Sequence, residues 1–219
     1  SVKGLGQPYS LKANPPIAVF ADSQIISESP YRFTASGCGD VISKAVSVRD
    51  WRLAHEKKND YYGEYAGNLA LLGSDIIMRN VEKIRDRTED GYRTLLEALV
   101  SCGVSMSIAG SSRPCSGSAH LISHALDMIA PGAALHGEQC GIGTIMMAKL
   151  HGLEWEKIRG NLTTLGAPTS AEELGIDGET LVKAIVKAGT IRPKRYTILN
   201  ETKLTRKSAR KLAESCGLV

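Results

Sequence analysis

Aromatic residues are scarce: two Phe, two Trp and seven Tyr account for 5 % of the 219 residues. That is too few to interleave with basic side chains as a base-stacking surface. Lys and Arg are scattered rather than gathered into a stripe. A formal net charge of +4 and an isoelectric point near 8.8 therefore suit an anionic small substrate and fall short of a nucleic-acid footprint. There is no Cys-x-x-Cys pair. The five cysteines, Cys38, Cys102, Cys115, Cys140 and Cys216, form an odd set among small apolar residues, which argues against a disulfide framework and for reduced, buried thiols in a cytosolic protein. No run approaches the ~20 apolar residues of a membrane span, and the opening "SVKGLGQPYS" lacks a signal-peptide core. Gly-x-Gly-x-x-Gly and triple-Gly phosphate loops are missing, as are internal repeats and low-complexity tracts.

What is present is ordinary globular material, 42 % hydrophobic and 23 % charged, enough for a sizeable buried core. Residues 1–30 differ from the rest. "QPYSLKANPPIAVFADSQIISESP" reads as short extended segments around Pro15 and Pro16, with "IAVFAD" as a buried strand. Two or so strands do not make a stable sheet by themselves, so this piece is expected to need a partner sheet. Residues 31–219 are helical in pattern. "DYYGEYAGNLALLGSDIIMRNVEKIR", "DGYRTLLEALVSCG" and "TLVKAIVKAG" repeat apolar residues at three- and four-residue intervals. The periodicity predicts about seven or eight helices. Thr169 with Glu172 has capping-box spacing, Gly103 and Gly189 read as helix C-terminal caps, and Gly217 closes a last helix, "TRKSARKLAESC".

The chemistry concentrates in "GSAHLISHALDMIAPGAALHGEQCGIGTIMMAKL", where His120, His124 and His136, three of five histidines, fall within seventeen mostly small or apolar residues. His120 and His124 are four apart and share a helix face. The spacing matches the His-Glu-x-x-His zinc motif, but "HLISH" has Leu where that motif needs its general-base Glu, which excludes a metalloprotease of that kind. His136 follows the turn signal "APGAAL" at the start of a further helix. A returning helix would bring it towards His120, with Gly141 and Gly143 permitting close packing. His55 and His151 stand alone and read as hydrogen-bonded structural residues. A metal that does chemistry has three protein ligands and one open position. Asp40 in "ASGCGDVISKAV" offers the carboxylate, at what looks like a helix start, where a capping role is the competing reading.

Three segments in order, "FTASGCGDVISK", "GSSRPCSGSAHLISHALD" and "LHGEQCGIGTIMMAKLHG", resemble the archaeal sn-glycerol-1-phosphate dehydrogenases, within the superfamily of iron-containing alcohol dehydrogenases, glycerol dehydrogenases and dehydroquinate synthases. The resemblance runs through essentially the whole chain. It implies a mainly α fold: the C-terminal helical metal-binding domain of a dehydroquinate synthase-like enzyme, with a few residual strands (1–30) of an N-terminal nucleotide-binding α/β domain. By motif it implies one Zn2+ per chain held by Asp40, His120 and His136, and Asp40 and His124 as catalytic, substrate-binding residues. The nucleotide loops for NAD(P)H are expected upstream of this chain, and the piece alone is expected to be inactive. The implied reaction is NAD(P)H-dependent reduction of dihydroxyacetone phosphate to sn-glycerol 1-phosphate for archaeal ether-lipid synthesis, by a cytoplasmic homo-oligomer; no nucleic-acid partner and no membrane span are expected. A glycerol dehydrogenase, a bacterial-type glycerol-1-phosphate dehydrogenase using another divalent metal, and a non-catalytic module in which metal serves folding are the alternatives. Beyond the motif, Arg113 reads as a solvated turn residue or a phosphate contact, the tail "TKLTRKSARK" as a solvated helix face, and Lys44 as a phosphate contact or surface residue.

Overall fold

A computed structural model describes residues 14–219. Among these the chain forms twelve helices: α1 Ser23–Glu28, α2 Tyr31–Ile42, α3 Lys44–Lys58, α4 Glu64–Arg79, α5 Val81–Arg85, α6 Glu89–Ala109, α7 Ser118–Ile129, α8 His136–Leu150, α9 Trp155–Thr164, α10 Gly178–Ile191, α11 Ile198–Thr202 and α12 Arg206–Ser215. The excess over the seven or eight expected lies largely in α1, α5 and α11, five or six residues each, too short to show a helical period. No helix among the described residues is long and apolar enough to cross a membrane.

The strand expected at "IAVFAD" is not formed: residues 14–22 carry no regular structure, and Ile17 and Phe20 are almost wholly exposed. A strand needs a neighbour for its backbone N–H and C=O groups, and none is present among the described residues. The earlier part of that segment, residues 1–13, lies outside the described residues. Three capping expectations also fail. Gly103 and Gly189 sit inside α6 and α10. The left-handed residue that ends α6 is Gly110, with φ of 62°. Thr169 and Glu172 lie in a turn rather than at a helix start, where the Thr169 amide donates to Glu173 Oε2 at 2.6 Å, and α10 is instead capped by Asp177, whose Oδ1 accepts from the Thr180 amide at 2.6 Å. Gly217 does close α12, with φ of 66°. All five cysteines are free and buried.

The centre of the molecule is α8. Gly137 to Ala148 are buried without interruption, as expected of a helix that is apolar or small all round. It packs against α2, α7 and α9, while α10 covers the other side of α7 and α4 lies along α6. Small residues set the spacing. A Cβ added to Gly39 of α2 would lie 2.5 Å from the Gly137 carbonyl oxygen, and one added to Gly143 would lie 2.9 Å from the Ala119 carbonyl oxygen of α7. Gly143 therefore permits the close approach read from the sequence. Gly141 is less constrained, its nearest neighbour being Leu162 Cδ2 at 3.4 Å. Arg32 forks onto buried Glu138 at 2.5 and 2.7 Å, and Glu138 Oε2 also accepts from the Leu135 amide at 2.8 Å. These bonds fix the first turn of α8 against the first turn of α2.

Candidate metal centre

Three helices converge at the α2–α7–α8 contact, each delivering polar side chains. Asp40 comes from the last turn of α2, not from a helix start as its surroundings suggested. His120 and His124 lie one turn apart on α7, and His136 is the first residue of α8. His120 Nε2 is 3.2 Å and His136 Nε2 is 3.9 Å from the same oxygen, Asp40 Oδ1. The rings of His120 and His136 meet edge to face at 5.1 Å between centroids. Cys140 joins them, with Sγ 3.5 Å from His136 Nε2. One donor atom from each of Asp40, His120, His136 and Cys140 falls within 4.8 Å of the others.

The electrostatics keep one carboxylate ionised among neutral rings, with its charge balanced by Lys44. Burial opposes charge on Asp40, but the Lys44 ammonium and a hydrogen bond from His120 outweigh it and hold the carboxyl far below the usual range. Lys44 is buried, with Nζ 2.8 Å from Asp40 Oδ1. It is neither a surface lysine nor positioned as a free phosphate contact. Burial lowers His120 to about 4 against the pull of Asp40. Burial, then the nearby Arg192 guanidinium, lowers His124 to about 3, and partial desolvation lowers His136, whose side chain is 47 % exposed. All three imidazoles are therefore neutral at pH 7, the state in which a ring nitrogen can ligate.

Outer partners fix the His136 tautomer. Ser123 Oγ donates to Gln139 Oε1 at 2.6 Å, so it accepts from His136 Nδ1–H at 3.0 Å, leaving the Nε2 lone pair facing Asp40. Gln139 Nε2 in turn donates to Asp127 Oδ1 at 3.2 Å. Such a chain orients a ligating imidazole and raises its basicity. The buried Nδ1 of His124 has no protein partner, and an unsatisfied buried polar atom is a cost that a bound group can remove; the Nδ1 of His120 is also unpartnered, but it is Nε2 of that ring that faces Asp40. An O, N, N, S donor set on neutral rings fits a divalent ion of borderline softness such as zinc.

His124 is brought to the edge of this cluster, with its ring 6.2 Å from that of His136, and it is not among the four converging donors. Sequence reasoning missed Cys140, one turn after His136, and the orienting trio Ser123, Gln139 and Asp127. The i, i+4 spacing was the available signal for Cys140. The solitary histidines behave as expected: His151 Nε2 bonds Asp50 Oδ1 at 3.0 Å and His55 Nδ1 bonds the Asp60 carbonyl at 2.8 Å. Arg113 is neither solvated nor at the centre, since it pairs with Asp60 and donates to the Tyr196 carbonyl at 2.9 Å.

No protein-family model matches the chain. Among curated proteins, the glycerol-1-phosphate dehydrogenase (NAD(P)+) of Thermococcus kodakarensis is 53 % identical over 219 residues, 100 % of this chain and 62 % of that protein. The corresponding proteins of Pyrococcus furiosus and Aeropyrum pernix are 53 % and 52 % identical, also over 100 % of this chain and over 63 % and 62 % of their own lengths. The chain thus spans less than two thirds of the length of these relatives. Among solved structures, a probable glycerol dehydrogenase from Sinorhizobium meliloti superposes with a TM-score of 0.69 at 21 % identity, covering 89 % of this chain and 57 % of that one. The glycerol dehydrogenase of Schizosaccharomyces pombe gives 0.67 at 19 %, covering 89 % and 52 %. At those identities the superpositions establish the fold, which is mainly α and shared with the helical portion of these dehydrogenases.

Proposed function

Because the chain is homologous along its whole length to archaeal glycerol-1-phosphate dehydrogenases, we propose that it forms the metal- and substrate-binding part of such an enzyme. Residues 31–219 are the helical domain, and residues 1–30 are the edge of a nucleotide-binding α/β domain supplied by the remainder of the polypeptide. The reaction is reduction of dihydroxyacetone phosphate to sn-glycerol 1-phosphate by NAD(P)H, in the cytoplasm, by a homo-oligomer. The observation that carries this reading is the convergence of Asp40, His120 and His136 beside a neutral His124 whose buried Nδ1 has no protein partner.

Asp40, His120 and His136 hold the metal, which we take to be Zn2+. When bound, the ion supplies a Lewis acid for a substrate carbonyl and stabilises negative charge on the oxygen formed from it. The protein's part is placement and charge. Asp40 stays ionised because the Lys44 ammonium opposes the cost of its burial. Ser123, backed by Gln139, keeps the His136 lone pair turned inward. His124 stands one turn along α7 from His120, where its neutral ring meets the substrate and offers a hydrogen bond without adding charge. The buried run Gly137–Ala148 closes the helix side of the site, while His136, 47 % exposed, keeps the other side open to solvent and substrate.

The test is NAD(P)H oxidation by the complete, metal-loaded polypeptide with dihydroxyacetone phosphate and with dihydroxyacetone. Marked preference for the phosphate supports the assignment, and equal turnover supports a glycerol dehydrogenase. Turnover of neither by folded, metal-loaded protein removes it. One observation favours a second reading: Cys140 Sγ lies 3.5 Å from His136 Nε2, and a four-donor site that admits no further ligand serves folding. In that case metal removal lowers stability while no dehydrogenase activity appears.

A further inference from the structure

The three-ligand arrangement leaves one nearby donor unused. Cys140 lies one helical turn beyond His136 on α8, so both side chains leave the helix on one face. Its sulfur is completely buried and faces the cluster rather than solvent. The spacing between donors is informative. With zinc–nitrogen and zinc–oxygen bonds of about 2.1 Å and a zinc–sulfur bond of about 2.3 Å, a tetrahedral centre has N···O edges of about 3.4 Å and N···S edges of about 3.6 Å. Of the six separations here, three are 3.2 Å for His120 Nε2 to Asp40 Oδ1, 3.9 Å for His136 Nε2 to Asp40 Oδ1, and 3.5 Å for His136 Nε2 to Cys140 Sγ; the other three lie within 4.8 Å, so the donors draw together by up to about 1.2 Å when an ion binds.

We propose that Cys140 Sγ is the fourth protein donor to the divalent metal when no substrate is bound, so that the resting centre is an Asp-His-His-Cys site selecting a thiophilic ion, zinc, over harder divalent ions. The inference rests on the metal reading of Asp40, His120 and His136, and is independent of any dehydrogenase activity. As the ion binds, the Cys140 S–H bond breaks, the proton leaves to solvent and the sulfur electron pair is donated to the ion. A divalent charge at bonding distance deprotonates a coordinating thiol outright. Catalytic zinc centres also take five donors, so sulfur in the resting site leaves room for a substrate oxygen. Soft thiolate and imidazole donors favour zinc, whereas all-oxygen sites favour magnesium or manganese.

The experiment is X-ray absorption at the zinc edge on the complete, zinc-loaded polypeptide without substrate. The expected spectrum contains one sulfur at about 2.3 Å beside nitrogen and oxygen at about 2.0–2.2 Å. Cys140→Ser should remove the sulfur, and its cobalt-loaded form should lack the near-ultraviolet thiolate-to-cobalt band that the wild-type cobalt form shows. A spectrum with nitrogen and oxygen only, or sulfur that persists in Cys140→Ser, overturns the inference while leaving the three-ligand reading intact. Wild-type protein that binds no metal overturns both. If Cys140→Ser does not fold, the wild-type zinc spectrum alone decides.

Discussion

Gly137→Ala tests whether close backbone packing holds the proposed metal ligands in register. A Cβ at Gly137 would sit 1.8 Å from the Ser36 carbonyl oxygen of α2 and 2.7 Å from Ser36 Oγ. Ordinary contact at about 3.4 Å requires α2 and α8 to part by about 1.6 Å, because the obstacle is backbone rather than a flexible side-chain end. Alanine gains at most ~1 kcal/mol over glycine in helix propensity, whereas overpacking of a tight interface costs about 1–3 kcal/mol and occasionally more. The net expectation is a loss of about 1–2 kcal/mol. Function should suffer more than stability. Asp40 is on α2 and His136 opens α8, and metal–ligand distances tolerate only about 0.2 Å. The assay is denaturant unfolding of the metal-free protein together with zinc content after loading, with Gly103→Ala as control. Gly103 is exposed, within α6, and has nothing within 4 Å of an added Cβ, so alanine there should stabilise by up to ~1 kcal/mol and leave zinc unchanged. Gly137→Ala protein with a wild-type unfolding midpoint and full zinc would refute the reasoning.

The two α7 histidines should fail differently. His120→Ala should lose both metal and activity, while His124→Ala should keep near-stoichiometric zinc and lose on the order of 10²-fold in kcat/KM, as removal of a positioned hydrogen-bonding group does; metal that leaves with His124 and stays with His120 would reverse the two roles. Asp50 is buried and accepts from the Ser118 amide at 2.6 Å, the Ile198 amide at 2.8 Å and His151. Asp50→Ala leaves two amides and an imidazole without that acceptor, so unfolding measurements should show a loss of about 3 kcal/mol, and an unchanged midpoint would mean that water replaces the carboxylate fully.

The histidine cluster was legible because helical periodicity and a turn signal act locally: four-residue spacing put His120 and His124 on one face, and "APGAAL" reversed the chain before His136. The carboxylate partner was legible only as a residue type. The surroundings of Asp40 resemble a helix start, but α2 already runs from Tyr31, since the small residues of "TASGCGD" continue a helix when α8 packs against it. Gly103 and Gly189 misled for a related reason: a glycine inside a helix and one at its end look alike in sequence, and only tertiary packing keeps α6 helical to Ala109. "IAVFAD" has strand composition but no neighbour among the described residues to complete its hydrogen bonds. Lys44 and Cys140 each stand one turn beyond a proposed ligand, yet the competing readings, surface lysine and apolar core thiol, are the commoner uses of those residues.

The most direct test of the central claim is the metal content of the wild-type protein purified under zinc-replete conditions, measured by elemental mass spectrometry on folded material. If Asp40, His120 and His136 form the centre, about one equivalent of divalent metal per chain is expected, falling to near zero in Asp40→Ala. Folded wild-type protein without bound metal, or Asp40→Ala protein that retains it, would contradict the account.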